Sequence, residues 1–421
     1  MKIILSFFLV MALLTGCESS SGKRNKVNNI EKEQSEIISN NAVVQFVTPQ
    51  IGKSVVNVYV ENSGSMDGYV NGVTEFEQSV YNYLSDIKIS RIADSLNLFY
   101  INSRIIKYGS DIEDFILRLE PSSFKAKGGD LGTSDISNVI KSVLQETNNN
   151  VISMLVTDGI FSPGKGKDAN QYLVNQQIGI KGNVAEYINN NPNASIIIYQ
   201  LSSQFSGKYY NYMDSPIQIN TQRPFYIWVI GDTEQLSILR SKVPESKFQG
   251  SGVQNMFSIT TGNKSIDYAV KLGSGNFSLD KQNPKTAITD WKRDSKGLSA
   301  NIAKFSVNAD LSGFLLDDSY LMNEENYELS DKDFSLSISK AAGNQFGYTH
   351  TLNLSSEMVK KGIFSIKLKS KVPQWIYDVN DDEGTTAVLG KTYGIKYQIQ
   401  GVYDAFTFDN DCFTEIKVFI K

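Results

Sequence analysis

The amino-acid sequence predicts an α/β fold in which a doubly wound, mainly parallel sheet is followed by a β-rich sandwich. Between about residues 54 and 243, short apolar runs rich in β-branched residues alternate with amphipathic helical patterns. This alternation is typical of a parallel sheet with helices on both faces. After about residue 251, apolar and polar residues alternate along the predicted strands, as they do in half-buried antiparallel sheets. A chain of 421 residues can bury two cores, and we expect domains at residues 50–245 and 251–421.

The first predicted domain is a regular series of strands and helices. Two helices begin at capping boxes, Thr74-Glu75-Phe76-Glu77 and Asp232-Thr233-Glu234-Gln235, whose first side chain can accept a hydrogen bond from a free amide of the first turn. A third helix begins at Ser134, and a fourth helical region covers residues 169–189. The predicted strands are residues 55–60, 96–101, 104–108, 151–156, 195–201 and 225–230.

The second predicted domain has the period-2 pattern of strands with one solvated face. Apolar residues alternate with polar ones from 334 to 338 and from 364 to 368, and a final strand covers about residues 413–420. These strands favour an antiparallel sandwich, for which an immunoglobulin-like arrangement is one option. Residues 395–406 have apolar side chains at helical spacing, but their first part also suits a strand, so both readings stay open.

Residues 1–16 have the pattern of a lipoprotein signal peptide. Lys2 supplies a positive charge, and residues 3–14 form an apolar core that is shorter than the roughly 20 residues of a bilayer-spanning helix. The core ends in Leu14-Thr15-Gly16-Cys17, which resembles the bacterial lipobox. The resemblance implies an acylated Cys17 at the start of the mature chain, with an ordinary secretory signal as the alternative. We therefore expect a lipid-anchored membrane protein of the bacterial cell envelope, in which polar residues 17–45 form a flexible tether.

Cysteine, histidine and charge content narrow the chemistry further. Cys412 is the only other cysteine, so a lipidated Cys17 leaves no partner for an intrachain disulfide. The formal net charge is −4 with both signs interspersed, which excludes the basic face that a nucleic-acid partner requires. His350 is the single histidine and lies in a strand-like pattern, so no histidine-dependent triad is expected. Because no pairing of a nucleophile with a base appears in the sequence, we expect a protein that is not an enzyme.

The run Val58-Tyr59-Val60-Glu61-Asn62-Ser63-Gly64-Ser65-Met66 ends an apolar strand in a turn that carries two hydroxyls and an acid. Loops at the strand ends of open α/β sheets converge on one crevice, where ligands bind. Hydroxyls beside a carboxylate suit a hard divalent cation, which takes oxygen ligands. Two later turns add oxygens: a Gly-rich loop places Thr133 near the start of a helix, and Val156-Thr157-Asp158-Gly159 ends a buried strand.

Together these residues resemble the metal-ion-dependent adhesion site of the von Willebrand factor A (VWA) family, over roughly residues 50–240. That family has an Asp-x-Ser-x-Ser turn, a threonine in a Gly-rich loop and an aspartate in a Thr-Asp-Gly turn. The resemblance implies a Rossmann-like VWA fold that binds Mg²⁺ or Mn²⁺, and a partner protein that supplies a carboxylate to the metal. The residues that it assigns to the metal site are Glu61, Ser63, Ser65, Thr133 and Asp158.

Glu61 departs from the family pattern, which has aspartate at this position. Its extra methylene displaces the carboxylate by roughly 1.5 Å, about one carbon–carbon bond. Mg²⁺ needs near-ideal octahedral geometry at about 2.0–2.1 Å, so this displacement matters. Glu61 then either ligates the metal directly or weakens the site. A vestigial site, whose Ser and Thr side chains only cap loops, is the alternative.

The sequence therefore predicts a binding module: an envelope lipoprotein whose VWA-like domain binds a protein or extracellular ligand through a divalent ion. A metal-independent structural or assembly factor is the alternative, and a hydrolase that uses the acids is a third option.

Two other motifs carry less weight. Residues 159–166 nearly match a phosphate-binding loop, but Gly166 replaces the Ser or Thr that holds magnesium. Acidic residues 378–384 lack the spacing of an EF-hand loop and resemble a solvated turn.

Overall fold

The structure, a computed structural model, describes residues 54–126, 135–163, 166–213, 215–262, 264–298, 300–342, 347–385, 389–409 and 411–421. The predicted signal peptide, Cys17 and the predicted tether lie outside the described residues. The chain divides into a unit Met1–Gln50 and a unit Ile51–Lys421, and the described residues belong to the second.

A seven-stranded sheet occupies the first half of this unit. Its strands are β1 (Val55–Glu61), β2 (Ser95–Ile101), β3 (Ile105–Gly109), β4 (Val151–Thr157), β5 (Ala194–Tyr210), β6 (Pro216–Asp232) and β7 (Asn255–Thr260). Their spatial order is β3-β2-β1-β4-β6-β5-β7. β1 pairs in parallel with β2 on one side and with β4 on the other. The strand order therefore reverses between β1 and β4, and open α/β sheets bind ligands at such a reversal.

Helices connect these strands: α1 (Glu75–Ser90), α2 (Ile112–Leu117), α3 (Pro121–Lys125), α4 (Ile136–Gln145), α5 (Ala169–Asn190) and α6 (Thr233–Lys242). The N-terminal caps of α1 and α6 are confirmed. Thr74 Oγ1 accepts a hydrogen bond from the Glu77 amide at 3.4 Å, and Asp232 Oδ1 accepts from the Glu234 amide at 2.9 Å. Each cap satisfies an amide that has no partner within its helix.

The sheet is mixed, so the expectation of a mainly parallel sheet is wrong. Of the six strand pairs that the structure describes in this sheet, two are parallel. The cause is β5 and β6, which extend beyond the predicted strands to 17 residues each and pair along their whole length. The connection at residues 211–215 is too short for a crossover and allows antiparallel pairing only. The coarser expectation, a mixed α/β protein with a large sheet and additional β-rich sheets, is confirmed.

Two sheets in the second half face each other. Their strands are β8 (Tyr268–Val270), β9 (Asn276–Leu279), β10 (Ala287–Lys292), β11 (Ala303–Ala309), β12 (Tyr327–Leu329), β13 (Phe334–Lys340), β14 (His350–Ser356), β15 (Gly362–Lys369) and β18 (Cys412–Ile420). The orders are β12-β15-β18-β10-β9 and β13-β14-β11-β8. The ring of Phe364 on β15 lies 4.2 Å from that of Phe334 on β13 and 6.1 Å from that of Phe305 on β11. These contacts between sheets form a sandwich-like core.

The remaining elements are α7 (Asp318–Leu321), α8 (Gln374–Asp378), β16 (Asn380–Asp381), β17 (Thr392–Tyr393) and α9 (Ile395–Phe406). Residues 395–406 are thus helical, which decides between the two readings of that stretch. α9 packs closely on α5, since a Cβ atom at Gly401 would lie 2.7 Å from the Gln177 carbonyl oxygen.

Among the residues that the structure describes, none of the helices has both the length and the apolar character needed to cross a membrane.

Candidate metal centre

The first and last predicted metal ligands come together at the reversal of the strand order. Glu61 is the last residue of β1, and Asp158 directly follows β4. Val60 pairs with Val156 in the parallel register, which places Glu61 beside Thr157 at the same edge of the sheet. Both acids are about 1% exposed. The sequence therefore predicts correctly that these two turns meet.

A chain of hydrogen bonds joins the hydroxyls of the first turn to Glu61. Ser63 Oγ donates to Glu61 Oε1 at 2.8 Å, and the Ser63 and Ser65 Oγ atoms are 3.0 Å apart. Because the proton of Ser63 is engaged with Glu61, Ser65 is the donor in the second bond. Both serine oxygens thus keep lone pairs for an additional ligand. Ser65 lies in a 3-10 turn, Gly64–Tyr69, whose first residue follows Ser63.

Thr157 is a residue of this crevice that the sequence reasoning missed. Its hydroxyl donates a hydrogen bond to Glu61 Oε2 and accepts one from the Gly159 amide at 2.9 Å. Glu61 therefore accepts a hydrogen bond from a hydroxyl at each of its carboxylate oxygens, and these two bonds fix the orientation of the carboxylate. The parallel alignment of the two strands was the available signal, since it places Thr157 opposite Glu61.

Asp158 differs from Glu61 because one of its oxygens has no donor. Oδ1 accepts a hydrogen bond from the Ile160 amide at 3.0 Å, whereas Oδ2 is buried without a hydrogen-bond partner among the described residues. Burial, together with the charge of Glu61, raises the pKa of Asp158 to about 7. The hydrogen bond from the Ile160 amide and the charge of Arg223 offset this rise in part. A second carboxylate in the same crevice is costly to ionise without a compensating cation.

Arg223 is the second residue that the sequence reasoning missed. It lies on β6 and is about 1% exposed. Its Nη1 donates to the Leu389 carbonyl at 2.6 Å and its Nη2 to the Lys391 carbonyl at 3.4 Å. The guanidinium carbon lies 4.6 Å from the centroid of the Tyr209 ring. No motif marks this arginine, because its partners are more than 160 residues away in the sequence.

A residue from the C-terminal half also contacts the turn after β4. Gln398 on α9 is fully buried and its Nε2 donates to the Gly159 carbonyl at 2.5 Å. Gly159 has a φ of +64°, and a Cβ atom there would lie 3.2 Å from the Tyr226 ring. A side chain at this position would therefore meet both backbone strain and a packed ring. These contacts hold Asp158 in place from the side of α9.

Thr133, the remaining predicted ligand, lies outside the described residues. Within the described part of the chain, no group of three or more His, Cys, Asp or Glu side chains is arranged to hold a metal ion. The crevice offers a different donor set, two serine hydroxyls and the unpaired Asp158 Oδ2. Oxygen donors of this kind fit Mg²⁺ or Mn²⁺, so the residues present are compatible with the expected cation.

His350, the single histidine, belongs to the sandwich and not to this crevice. It lies on β14 with its Nδ1 atom 2.9 Å from Thr349 Oγ1 and its Nε2 atom 3.4 Å from Lys340 Nζ. Burial and the charge of Lys340 lower its pKa.

Comparison of the whole chain with protein-family models, with curated proteins and with solved structures finds no match.

Proposed function

We propose that this chain is a binding protein with a VWA-like domain, and that Mg²⁺ or Mn²⁺ mediates binding at the crevice between β1 and β4. The observation that carries the proposal is Asp158 Oδ2, a buried carboxylate oxygen with no hydrogen-bond partner among the described residues. Such an oxygen is destabilising when it is left unpaired. A cation that takes oxygen ligands removes this penalty.

In this proposal Ser63, Ser65 and Asp158 hold the cation, together with Thr133. Glu61 accepts hydrogen bonds from two hydroxyls and orients Ser63, so the extra methylene places its carboxylate behind the ligating hydroxyls. A cation held by these residues would take a carboxylate of the partner protein as a further oxygen ligand. The role of the chain's own residues is to hold and orient, and we propose no catalytic step.

The location of the protein and the fold of its second half belong to the same proposal. The lipobox resemblance supports a lipid anchor at Cys17 and a place in the bacterial cell envelope. The tether of residues 17–45 would allow the crevice to reach a partner away from the membrane. An immunoglobulin-like arrangement of the C-terminal sheets is proposed from the strand pattern alone.

Calorimetry with MgCl₂ and MnCl₂ on the purified chain tests the proposal. We expect binding by the wild type and at least about a tenfold loss of affinity in Asp158→Asn, equivalent to about 1.4 kcal/mol, because the amide removes the charge at constant shape. Asp232→Asn is the matched control, since asparagine caps a helix as well as aspartate. No heat and no thermal shift at millimolar metal would overturn the proposal.

A metal-independent structural or assembly factor is the second candidate, and a specific observation favours it. Both oxygens of Glu61 accept hydrogen bonds from protein hydroxyls, and Arg223 already supplies a buried positive charge that acts on Asp158. The crevice can then be a self-contained hydrogen-bonded unit whose outer face docks a partner.

Capture from envelope extracts by the immobilised protein separates the two candidates. A metal-mediated partner is released by EDTA and returns with Mg²⁺, and Asp158→Asn fails to capture it. A partner of the assembly factor stays bound in EDTA and binds Asp158→Asn and Asp232→Asn equally well.

A further inference from the structure

Arg223 holds a short stretch of the C-terminal half, residues 389–393, which we call the clasp. Two of its guanidinium nitrogens donate to clasp carbonyls, Leu389 O at 2.6 Å and Lys391 O at 3.4 Å. Bonds from a charged donor are stronger than those between neutral groups. The buried Arg223 Nε atom has no hydrogen-bond partner among the described residues, so these carbonyls are the principal acceptors of the guanidinium.

The clasp also makes hydrogen bonds between neutral groups. The Thr392 amide donates to the Val379 carbonyl at 2.9 Å, and Thr392 Oγ1 accepts from the Tyr226 hydroxyl at 2.9 Å. β17, which lies in the clasp, pairs with the two-residue strand β16. A pairing this short contributes little by itself, so Arg223 is an important attachment.

The same arginine also borders the crevice. The Phe205 ring lies 5.9 Å from its guanidinium carbon and is packed so tightly on Gly68 that a Cβ atom there would lie 2.4 Å from it. The hydroxyl of Tyr69 donates to the carbonyl of Pro224, the next residue after Arg223, at 2.6 Å. Gly68 and Tyr69 belong to the 3-10 turn that carries Ser65. Arg223 therefore lies between this turn and the clasp.

We propose that Arg223 is the resident counter-charge of the crevice, and that a divalent cation in the crevice weakens its hold on the clasp. This inference rests on the proposed function, since it concerns the same cation. Arg223 and a cation held by Asp158 carry like charges in a region from which water is excluded, where repulsion is strong. Cation binding and clasp attachment then oppose each other, and this coupling acts equally in both directions.

Hydrogen exchange of the wild-type chain, with and without saturating MgCl₂, tests the coupling directly. The amides of Thr392 and Gly394 are hydrogen-bonded, to the Val379 and Asp381 carbonyls respectively, so their exchange reports opening of the clasp. We expect these amides to exchange about tenfold faster with Mg²⁺, a coupling of typical size. Amides in the middle of β14 should not change.

Arg223→Met removes the charge but keeps an unbranched side chain. By reciprocity it should bind Mg²⁺ about tenfold more tightly in calorimetry, with clasp exchange that is fast at every Mg²⁺ concentration. Arg223→Lys keeps the charge without the planar fork, so its clasp should also exchange fast, and its Mg²⁺ affinity should lie between those of the wild type and Arg223→Met. Arg240→Met is the matched control, because Arg240 binds Glu245 and the Leu315 carbonyl instead of the clasp.

The outcomes distinguish this inference from the proposed function. Absence of Mg²⁺ binding by the wild type overturns both. Mg²⁺ binding with unchanged exchange at Thr392 and Gly394 overturns the coupling alone, and this measurement needs no variant to fold. Weaker Mg²⁺ binding in a folded Arg223→Met variant also overturns it, because the arginine would then support the cation instead of opposing it.

Discussion

Glu61 accepts hydrogen bonds from Ser63 and Thr157 at its two carboxylate oxygens, and the length of its side chain sets their position. Glu61→Asp withdraws the carboxylate by roughly 1.5 Å and leaves more room for a cation beside the serines. We expect Mg²⁺ affinity to rise about fivefold, equivalent to roughly 1 kcal/mol. The metal-free variant should be less stable by about 1–2 kcal/mol, because a hydroxyl loses a charged acceptor.

Calorimetry and urea unfolding in EDTA measure the two effects separately. Glu75→Asp is the matched control, since Glu75 accepts hydrogen bonds from the Gln204 amide and the Ser203 hydroxyl instead of from Ser63 or Thr157. It should leave the Mg²⁺ affinity unchanged. If Glu61→Asp abolishes Mg²⁺ binding, the glutamate is itself a ligand and its orienting role is wrong.

Among single residues, the sequence predicted those that lie in recognisable motifs. It missed those that only the tertiary structure brings to the crevice. Glu61 and Asp158 were placed together because parallel strands share one edge. Thr157 was passed over as part of the turn, although the same alignment puts it against Glu61. Arg223 could not be predicted, because its carbonyl partners come from a distant segment that reaches it only after the chain has folded.

At the scale of elements, the N-terminus of α1 makes stability depend on pH. Burial raises the pKa of Glu77 to about 7, although the Thr74 amide lowers it in part. The unfolded chain releases this proton near the ordinary value of 4.5. Between these two pKa values the folded protein binds more protons than the unfolded chain, so the free energy of unfolding falls as the pH rises.

Glu77→Gln should remove this contribution while keeping a capping-box side chain. We expect the variant to match the wild type near pH 4.5 and to be more stable by on the order of 1 kcal/mol at pH 8, because half-exposure reduces the full effect of the pKa shift. Urea unfolding across this pH range measures it. Glu186→Gln, at an exposed position on α5, is the control. An equal dependence of the free energy of unfolding on pH in the wild type and in Glu77→Gln would contradict the assignment.

The hairpin of β5 and β6 shows where element prediction from sequence stops. The two apolar cores of these strands were predicted, but 23 residues separate the predicted ends, which is long enough for a crossover helix. Residues 202–210 and 216–222 instead continue the strands as a ribbon. That ribbon carries Phe205 and Arg223 to the 3-10 turn Gly64–Tyr69, so the same feature changed the sheet topology and supplied the missed side of the crevice.

At the scale of the whole molecule, both halves of the unit build the crevice. β1 and β4 provide the acids and hydroxyls, while Gln398 and the clasp come from the last quarter of the chain. The change of residue pattern near residue 251 predicted additional β-rich sheets in the second half, which the structure confirms. It could not predict that β7 pairs with β5 or that α9 braces the Asp158 turn, because both depend on contacts between distant parts of the chain.

Whether this crevice operates at a membrane depends on the proposed anchor, and Cys17 is the residue that tests the anchor. If the Cys17 thiol is acylated, the acyl chain contributes about 0.8 kcal/mol of membrane affinity for each buried methylene. Cys17→Ser removes the thiol, so we expect the protein to move from the membrane fraction to the soluble fraction of cell extracts. Cys412→Ser is the control, because Cys412 is the only other cysteine and is buried on β18. It should stay with the membranes, provided that immunoblots show comparable protein levels. Cys17→Ser protein that remains in the membrane fraction after a high-salt wash would show that attachment does not depend on this thiol.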